Sequence, residues 1–303
     1  MSTLEYDAAA ARDWADRCHR VRTGDAEQRR QVLAAAATLT RRRVVEMIAA
    51  AGAGHIGGDF SVTDLLTVLF NGVLRIDPAR PDRQDRDHFV LSKGHCAAAL
   101  YATLAASGYF PPSELTTFMA PLSPLNGHPN RTKVPGVETN TGPLGHGLPV
   151  GLGTALGARL AGRDSRVVVV LGDGELQEGS NWEALMSASH HRLANLMIIV
   201  DRNRLQQGAR TEETNRLDPL DQRLAAFGCE VRTVDGHDHL ALLDTLSSAG
   251  TDRPVAVIAN TVKGKGVSFI EDRVEWHHKV PSAEQVELAL AELIIDEPAG
   301  VAS

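Results

Sequence analysis

Cysteine is scarce in this chain of 303 residues: Cys18, Cys96 and Cys229 are odd in number and widely spaced. They match neither a paired disulfide framework nor a zinc-ligand pattern, so a reduced, cytoplasmic setting is expected. Long apolar runs are missing too. None approaches the length that spans a bilayer, and the N-terminus has no basic-then-apolar export signal, so no membrane role is expected. Positive charge is not in excess: the net charge is -7 with both signs interspersed, which argues against a nucleic-acid surface. The one basic triplet, Arg41-Arg42-Arg43, reads as the solvated start of a helix. No Gly/Ser- or Pro-rich linker divides the chain, and its length suffices for one large α/β domain with a substantial core. A Gly-x-x-x-x-Gly-Lys loop and an early Gly-x-Gly-x-x-Gly turn are both lacking, which disfavours a plain nucleotide-binding module.

What is present is a cluster of acidic and amide residues at two strand ends. Gly172-Asp173-Gly174-Glu175 closes the apolar run Val167 to Leu171, and Asn203-Arg204-Leu205 follows Leu196 to Val200. With the amphipathic segment Asn181 to His191 between them, the two runs read as a βαβ unit of parallel strands. Ligands of such sheets sit beyond the carboxyl ends of the strands, where Asp173 and Asn203 emerge. Mg²⁺ takes six oxygens, and Asp173, Asn203 and the carbonyl of Leu205 leave room in that shell for diphosphate oxygens and water. Asp173, Glu175 and Glu178 would repel a bare diphosphate, so a divalent cation, Mg²⁺ or else Ca²⁺ or Mn²⁺, must mediate. Gly174 lets the backbone approach closely, and the helix after it can offer N–H groups to phosphate. Thiamine diphosphate is the ligand that best fits this signature.

Along the chain, residues 1–30 are polar and rich in alanine and arginine. They read as one surface helix or a mobile arm ahead of a cofactor domain over 31–303. Helical spacing runs from Val32 to Ala51 and stops at the glycine-rich turn Gly52 to Gly58. Ser61 with Asp64 resembles a capping box for a helix reaching Phe70. His88 to Leu91 reads as a short buried strand delivering Ser92-Lys93-Gly94-His95, followed by a helix over Ala97 to Ser107. Pro111 to Gly147 is a long loop with His128, Asn140 and the turn Gly142 to Gly147, and loops of that length are usually functional or disordered. Strands at Val167, Leu196, Val231 and Val255 alternate with helices, which predicts a parallel sheet with helices on both faces. A last helix starts near Ser282, capped through Gln285.

Of the twelve histidines, His55, His95, His128 and His277 stand beside glycine, proline or tryptophan in loops at element ends. A neutral imidazole both donates and accepts, which suits a substrate rim. His190, His191, His237 and His239 have no comparable context and read as surface residues.

Taken together, the motifs resemble those of transketolases. Gly54-His55, Leu91-Ser92 with His95, Gly127-His128-Pro129, Thr141 to Gly145, Gly172-Asp173-Gly174 with Asn203, and Lys263-Gly264-Lys265-Gly266 ahead of Trp276-His277 keep the family's order over residues 35–290. The chain resembles the N-terminal, diphosphate-binding subunit of a split transketolase, without the pyrimidine-binding and C-terminal domains of the full-length enzymes. The resemblance implies a thiamine-diphosphate-binding fold with Mg²⁺ on Asp173, Asn203 and the Leu205 carbonyl. It implies that His95, Gly174 and His277 contact the diphosphate, with Glu175 beside them, while Gly142, Pro143 and Leu144 approach the thiamine ring. His55, His128 and His277 are implied to line the sugar channel, and Glu178 to link paired cofactors across an interface. The implied reaction moves a two-carbon ketol unit from a ketose, in the family a phosphate, to an aldose. A separate subunit would bring the pyrimidine-binding half, and two copies of each chain would form a heterotetramer. Ile56, Asp59, His146 and His278 depart from the family pattern and put an ordinary pentose phosphate in doubt. The alternatives are another thiamine diphosphate enzyme acting on a non-standard substrate, or a non-catalytic cofactor-binding scaffold.

Overall fold

A computed structural model describes residues 4–295. The chain opens with helices α1 (Ala8–Thr23), α2 (Ala26–Ala51) and α3 (Ile56–Val68), then β1 (His88–Leu91) and α4 (Ala97–Ala106). After the long loop come α5 (Gly147–Leu160), β2 (Val167–Gly172), α6 (Gly179–His190) and β3 (Leu196–Arg202). Two short helices, α7 (Thr211–Thr214) and α8 (Leu220–Ala226), precede β4 (Glu230–Asp235), α9 (His239–Ser247), β5 (Val255–Asn260) and α10 (Ala283–Glu292).

The five strands form one sheet in the order β1-β2-β3-β5-β4. Every pairing is parallel. Alternate side chains of each strand enter opposite layers, as the two-residue strand period requires. Val168, Val170, Met197 and Ile199 join the core with α2, α3 and α4. Val167, Val169, Leu171, Ile198 and Val200 join the core with α5, α6 and α8. Burial on both faces explains why β2, β3 and β5 read as aliphatic runs, whereas the edge strand β4 is polar and half-buried. Helix α3 is buried along its whole length, and Gly151 lets α5 sit directly on Val169. Among the described residues no helix is long and apolar enough to cross a membrane.

Three local expectations are corrected. Residues 4–30 are not one helix or a loose arm, and residues 1–3 lie outside the described residues: α1 is docked, with Trp14 Nε1 donating to the Phe70 carbonyl (2.9 Å) and Arg17 to that of Ala106 (2.6 Å). Moreover, α2 starts at Ala26 with an Asp25–Gln28 capping box, so a boundary at residue 30 falls inside it. The arginine triplet lies in the middle of α2, and Arg41 is buried against Asp64. Ser61 and Asp64 do not cap a helix, because α3 already begins at Ile56 and both lie in its interior. The C-terminal expectation holds: Ser282 and Gln285 form a capping box on α10.

Candidate active site

The carboxyl ends of β1, β2, β3 and β5 deliver His95, Asp173, Asn203 and Lys263 to one edge of the sheet. Register keeps the two central loops side by side, since Gly172 pairs with Asp201. That edge is the ligand-binding edge of an open parallel sheet.

Asp173 is buried, and its two oxygens are unequally engaged. Oδ2 accepts from the Arg204 amide (2.7 Å), Arg202 (3.2 Å) and Thr211 Oγ1 (3.2 Å), whereas Oδ1, among the described residues, accepts only from the Gly174 amide (2.8 Å). Burial raises its carboxyl pKa, opposed by the Arg202 guanidinium. Asn203 is oriented from both sides: its Oδ1 accepts from the Leu205 amide (3.1 Å) and its Nδ2 donates to Ser61 Oγ (3.3 Å). The Leu205 carbonyl accepts from Lys263 Nζ (3.3 Å). Among the described residues no three histidine, cysteine or acidic side chains gather as a metal cluster, so a zinc-type ligand set is not formed. A carboxylate oxygen, an amide oxygen and a backbone carbonyl are instead a donor set for a hard cation such as Mg²⁺ that keeps water and phosphate oxygens in its shell. The residues present fit that ion.

Glu175 is engaged within the protein. Its buried carboxylate accepts from Ser92 Oγ, the Gly145 amide (3.0 Å) and the Gly172 amide (3.1 Å). It therefore ties the ends of β1 and β2 to the Gly142–Gly147 turn. Gly174 uses its amide within the Asp173 turn, and a side chain added there would meet Gln206 at 3.1 Å. In the turn, Gly142 backs directly onto the His128 ring, 3.2 Å from an added Cβ. Gly145 holds φ at 79°, a left-handed conformation that glycine adopts without strain. Pro143 and Leu144 stand exposed, as does Glu178 at the start of α6. His146 folds back onto the Leu144 carbonyl (2.9 Å).

The histidines do converge. The His55 ring lies 5.1 Å from His95, 5.4 Å from His277 and 4.5 Å from His278, and His95 stacks on His277 at 5.6 Å. Burial, with His278 and His128 nearby, lowers the His55 pKa to about 4. Burial and the neighbouring Lys263 lower that of His277 to about 3, and burial with Lys93 holds His95 well below the usual range. Partial burial lowers His128 as well. These rings are neutral near pH 7 and can each donate and accept.

Two lysines complete the edge, and the sequence reading assigns neither a role. Lys263 is buried, with its pKa lowered to about 8 by burial and then by Lys93, and it donates to His277 Nδ1 (2.7 Å) as well as to Leu205. It thus joins the oxygen set to the histidine cluster. Since an ammonium only donates, His277 carries its proton on Nε2. Lys93 pairs with the buried Asp201, which also accepts from Ser61 Oγ (2.6 Å) and Thr261 Oγ1. The signal available in the sequence is position, since Lys93 and Lys263 both follow strand ends. His237 and His239, expected at the surface, are also buried in part, on Asp64.

A parallel sheet carrying an oxygen-ligand set and neutral histidines at its carboxyl edge defines an α/β cofactor-binding protein of the thiamine diphosphate type. Residues 32–298 match the family described as transketolase, thiamine diphosphate binding domain, and the chain belongs to that family. An apulose-4-phosphate transketolase subunit from Actinobacillus succinogenes is 48% identical over 255 residues, covering 84% of this chain and 92% of the relative. The 6-deoxy-6-sulfo-D-fructose transketolase subunit SqwG of Clostridium sp. is 37% identical over 259 residues, covering 85% of this chain and 94% of the relative. Among solved structures, a transketolase from Pichia stipitis superimposes with a TM-score of 0.81 at 30% identity, covering 88% of this chain. Transketolase from Campylobacter jejuni does so with 0.81 at 30% identity, covering 87%. The chain spans only 42% and 43% of those two structures.

Proposed function

We propose that this chain is the diphosphate-binding subunit of a two-chain transketolase that moves a two-carbon ketol unit from a ketose phosphate to an aldose. The observation that carries this reading is Lys263, whose ammonium bridges the Leu205 carbonyl and His277 and so joins a cation corner to a sugar-binding rim. When bound, thiamine diphosphate supplies the nucleophilic carbon that carries the two-carbon unit. Asp173 through Oδ1, Asn203 and the Leu205 carbonyl would hold Mg²⁺. His95, Gly174 and His277 contact the diphosphate, with Lys263 adding charge, and Gly142 to Leu144 approach the thiamine ring. His55, His128 and His277 bind sugar hydroxyls and carbonyl oxygen and exchange protons with them.

A second chain covers the exposed Pro143-Leu144 turn and Glu178. The outer faces of α5 and α6 support an assembly of two copies of each chain. Val150, Leu160 and Met186 are exposed there, and Gly153 and Gly157 have nothing within 4 Å of an added Cβ. Small residues of this kind allow close helix approach. The relatives named for apulose-4-phosphate and for 6-deoxy-6-sulfo-D-fructose support a donor outside the ordinary pentose phosphates, and His278 beside His55 is in keeping with one. A cytoplasmic setting fits the three unpaired cysteines.

The test is calorimetric titration of thiamine diphosphate with Mg²⁺ into the chain alone and into its complex with the co-expressed second subunit, followed by a ketol-transfer assay. Tight binding and turnover in the complex, abolished by Asp173→Ala, is the expected result. Absence of binding by a verified complex would leave a scaffold in place of an enzyme subunit.

A further inference from the structure

One buried carboxylate gathers four donor bonds from two helices and one loop. Asp64 Oδ1 accepts from Arg41 Nη1 (3.2 Å) and His239 Nε2 (2.8 Å), while Oδ2 accepts from Arg41 Nη2 (2.6 Å) and His237 Nδ1 (2.7 Å). His237 then uses its other nitrogen. Nε2 lies 2.8 Å from the Val262 amide, which can only donate, so the ring is neutral and its single proton points at Asp64.

Val262 immediately precedes Lys263, and the loop they begin is held at its far end by the same cluster. A side chain added at Gly266 would meet Arg41 Cδ at 3.1 Å. Between these points the Gly264 amide donates to the Gly57 carbonyl (2.9 Å). The lysine stem passes Gly57, where an added Cβ would meet Lys263 Cγ at 3.1 Å. Lys263 is thus flanked by two backbone bonds, from the Val262 amide to His237 and from the Gly264 amide to Gly57, in a closely packed loop.

We propose that His237, aimed by Asp64, is a positioning residue for Lys263. It fixes the Val262 amide and so sets the reach of the lysine toward the Leu205 carbonyl and the His277 ring. The functional consequence rests on the reading that this edge holds Mg²⁺ and thiamine diphosphate. His237 itself touches neither group.

Two near-isosteric variants divide the roles of its ring nitrogens. His237→Asn places an amide donor where Nδ1 stood and keeps the Asp64 bond, but leaves the Val262 amide without its acceptor. His237→Gln places an amide oxygen where Nε2 stood and restores that acceptor. In the cofactor-free chain, His237→Asn is expected to speed deuterium exchange at Val262 about tenfold. It should also raise acylation of Lys263 by acetic anhydride several-fold, while His237→Gln leaves both near wild type. In the complex with the second subunit, His237→Asn is expected to weaken Mg²⁺-thiamine diphosphate binding about tenfold, the worth of one well-made hydrogen bond. That loss should vanish when Lys263→Met is already present, because the affected group is gone. Unchanged Lys263 acylation in His237→Asn, or losses that simply add in the double variant, would overturn the proposal. A wild-type complex that binds no thiamine diphosphate would defeat the functional reading, and the acylation and exchange data would still decide the positioning role.

Discussion

Asp201→Asn removes one charge from the most deeply buried ion pair of the molecule and should test how the cofactor edge is held together. Lys93 is 1% exposed and Asp201 0%, and the lysine also donates to the Gly58 carbonyl (3.2 Å). Burial opposes both charges, yet each holds the other ionised: Asp201 raises the pKa of Lys93, and Lys93 lowers that of Asp201. Breaking such a pair from one side strands a charge in the interior and costs about 3–5 kcal/mol. Lys93→Met should cost a similar amount, moderated where the carboxyl takes up a proton. Combining the two is different. The asparagine oxygen still accepts from Thr261, and its amide donates to Ser61 Oγ once that hydroxyl turns to the Gly58 carbonyl (3.1 Å), so the double variant has no stranded charge and should lose only about 1–2 kcal/mol. Urea denaturation at neutral pH, fitted with a common slope, measures all four proteins. Single variants losing less than about 1 kcal/mol, or a double variant losing the sum, would refute the account.

Acid should weaken the fold through the histidine cluster. His55 and His277 bind protons in the unfolded chain below about pH 6.5, but in the folded chain only below about 4 and about 3. Their contribution is therefore fully present above pH 6.5 and is lost progressively as pH falls toward 4. Thermal melts between pH 7 and 4.5 should show a smaller acid loss in His55→Gln than in wild type, and parallel curves would contradict the assignment. His55→Ala in the assembled complex should spare cofactor affinity and lower turnover at least about a hundredfold. Unchanged turnover would remove His55 from the sugar site.

The elements that local pattern describes were legible in the sequence. Parallel strands at Val167, Leu196 and Val255 declare themselves because both faces are buried and nearly every position is aliphatic, while the edge strand at Val231 shows itself only through its place in the alternation with helices. Asp173, Asn203 and the glycine-flanked histidines stood out because strand-end loops bring special backbone needs and chemistry together. What escaped was set by partners distant in sequence. Arg41 looked solvated since nothing near it announces Asp64, and Ser61 and Asp64 imitated a cap while bonding to Asp201 and to two histidines far along the chain. Glu175 sits in an acidic motif that suggests ligand contact, while its bonds to Ser92 and Gly145, far from it in sequence, join its own Gly172 in holding it. Residues 1–30 were polar enough to suggest an arm, while the docking of α1 depends on Trp14 and Arg17 reaching backbone carbonyls that no spacing rule reveals.

The turn bearing Pro143 and Leu144 is exposed beside the carboxyl edge of the sheet. On the two-chain reading, vitamin-derived cofactor and protein partner meet at that same boundary, and their affinities cease to be separate properties. Whatever factor the partner adds to the grip on thiamine diphosphate, thiamine diphosphate must add to the grip on the partner. Cofactor supply would then shift the balance between free and assembled chains.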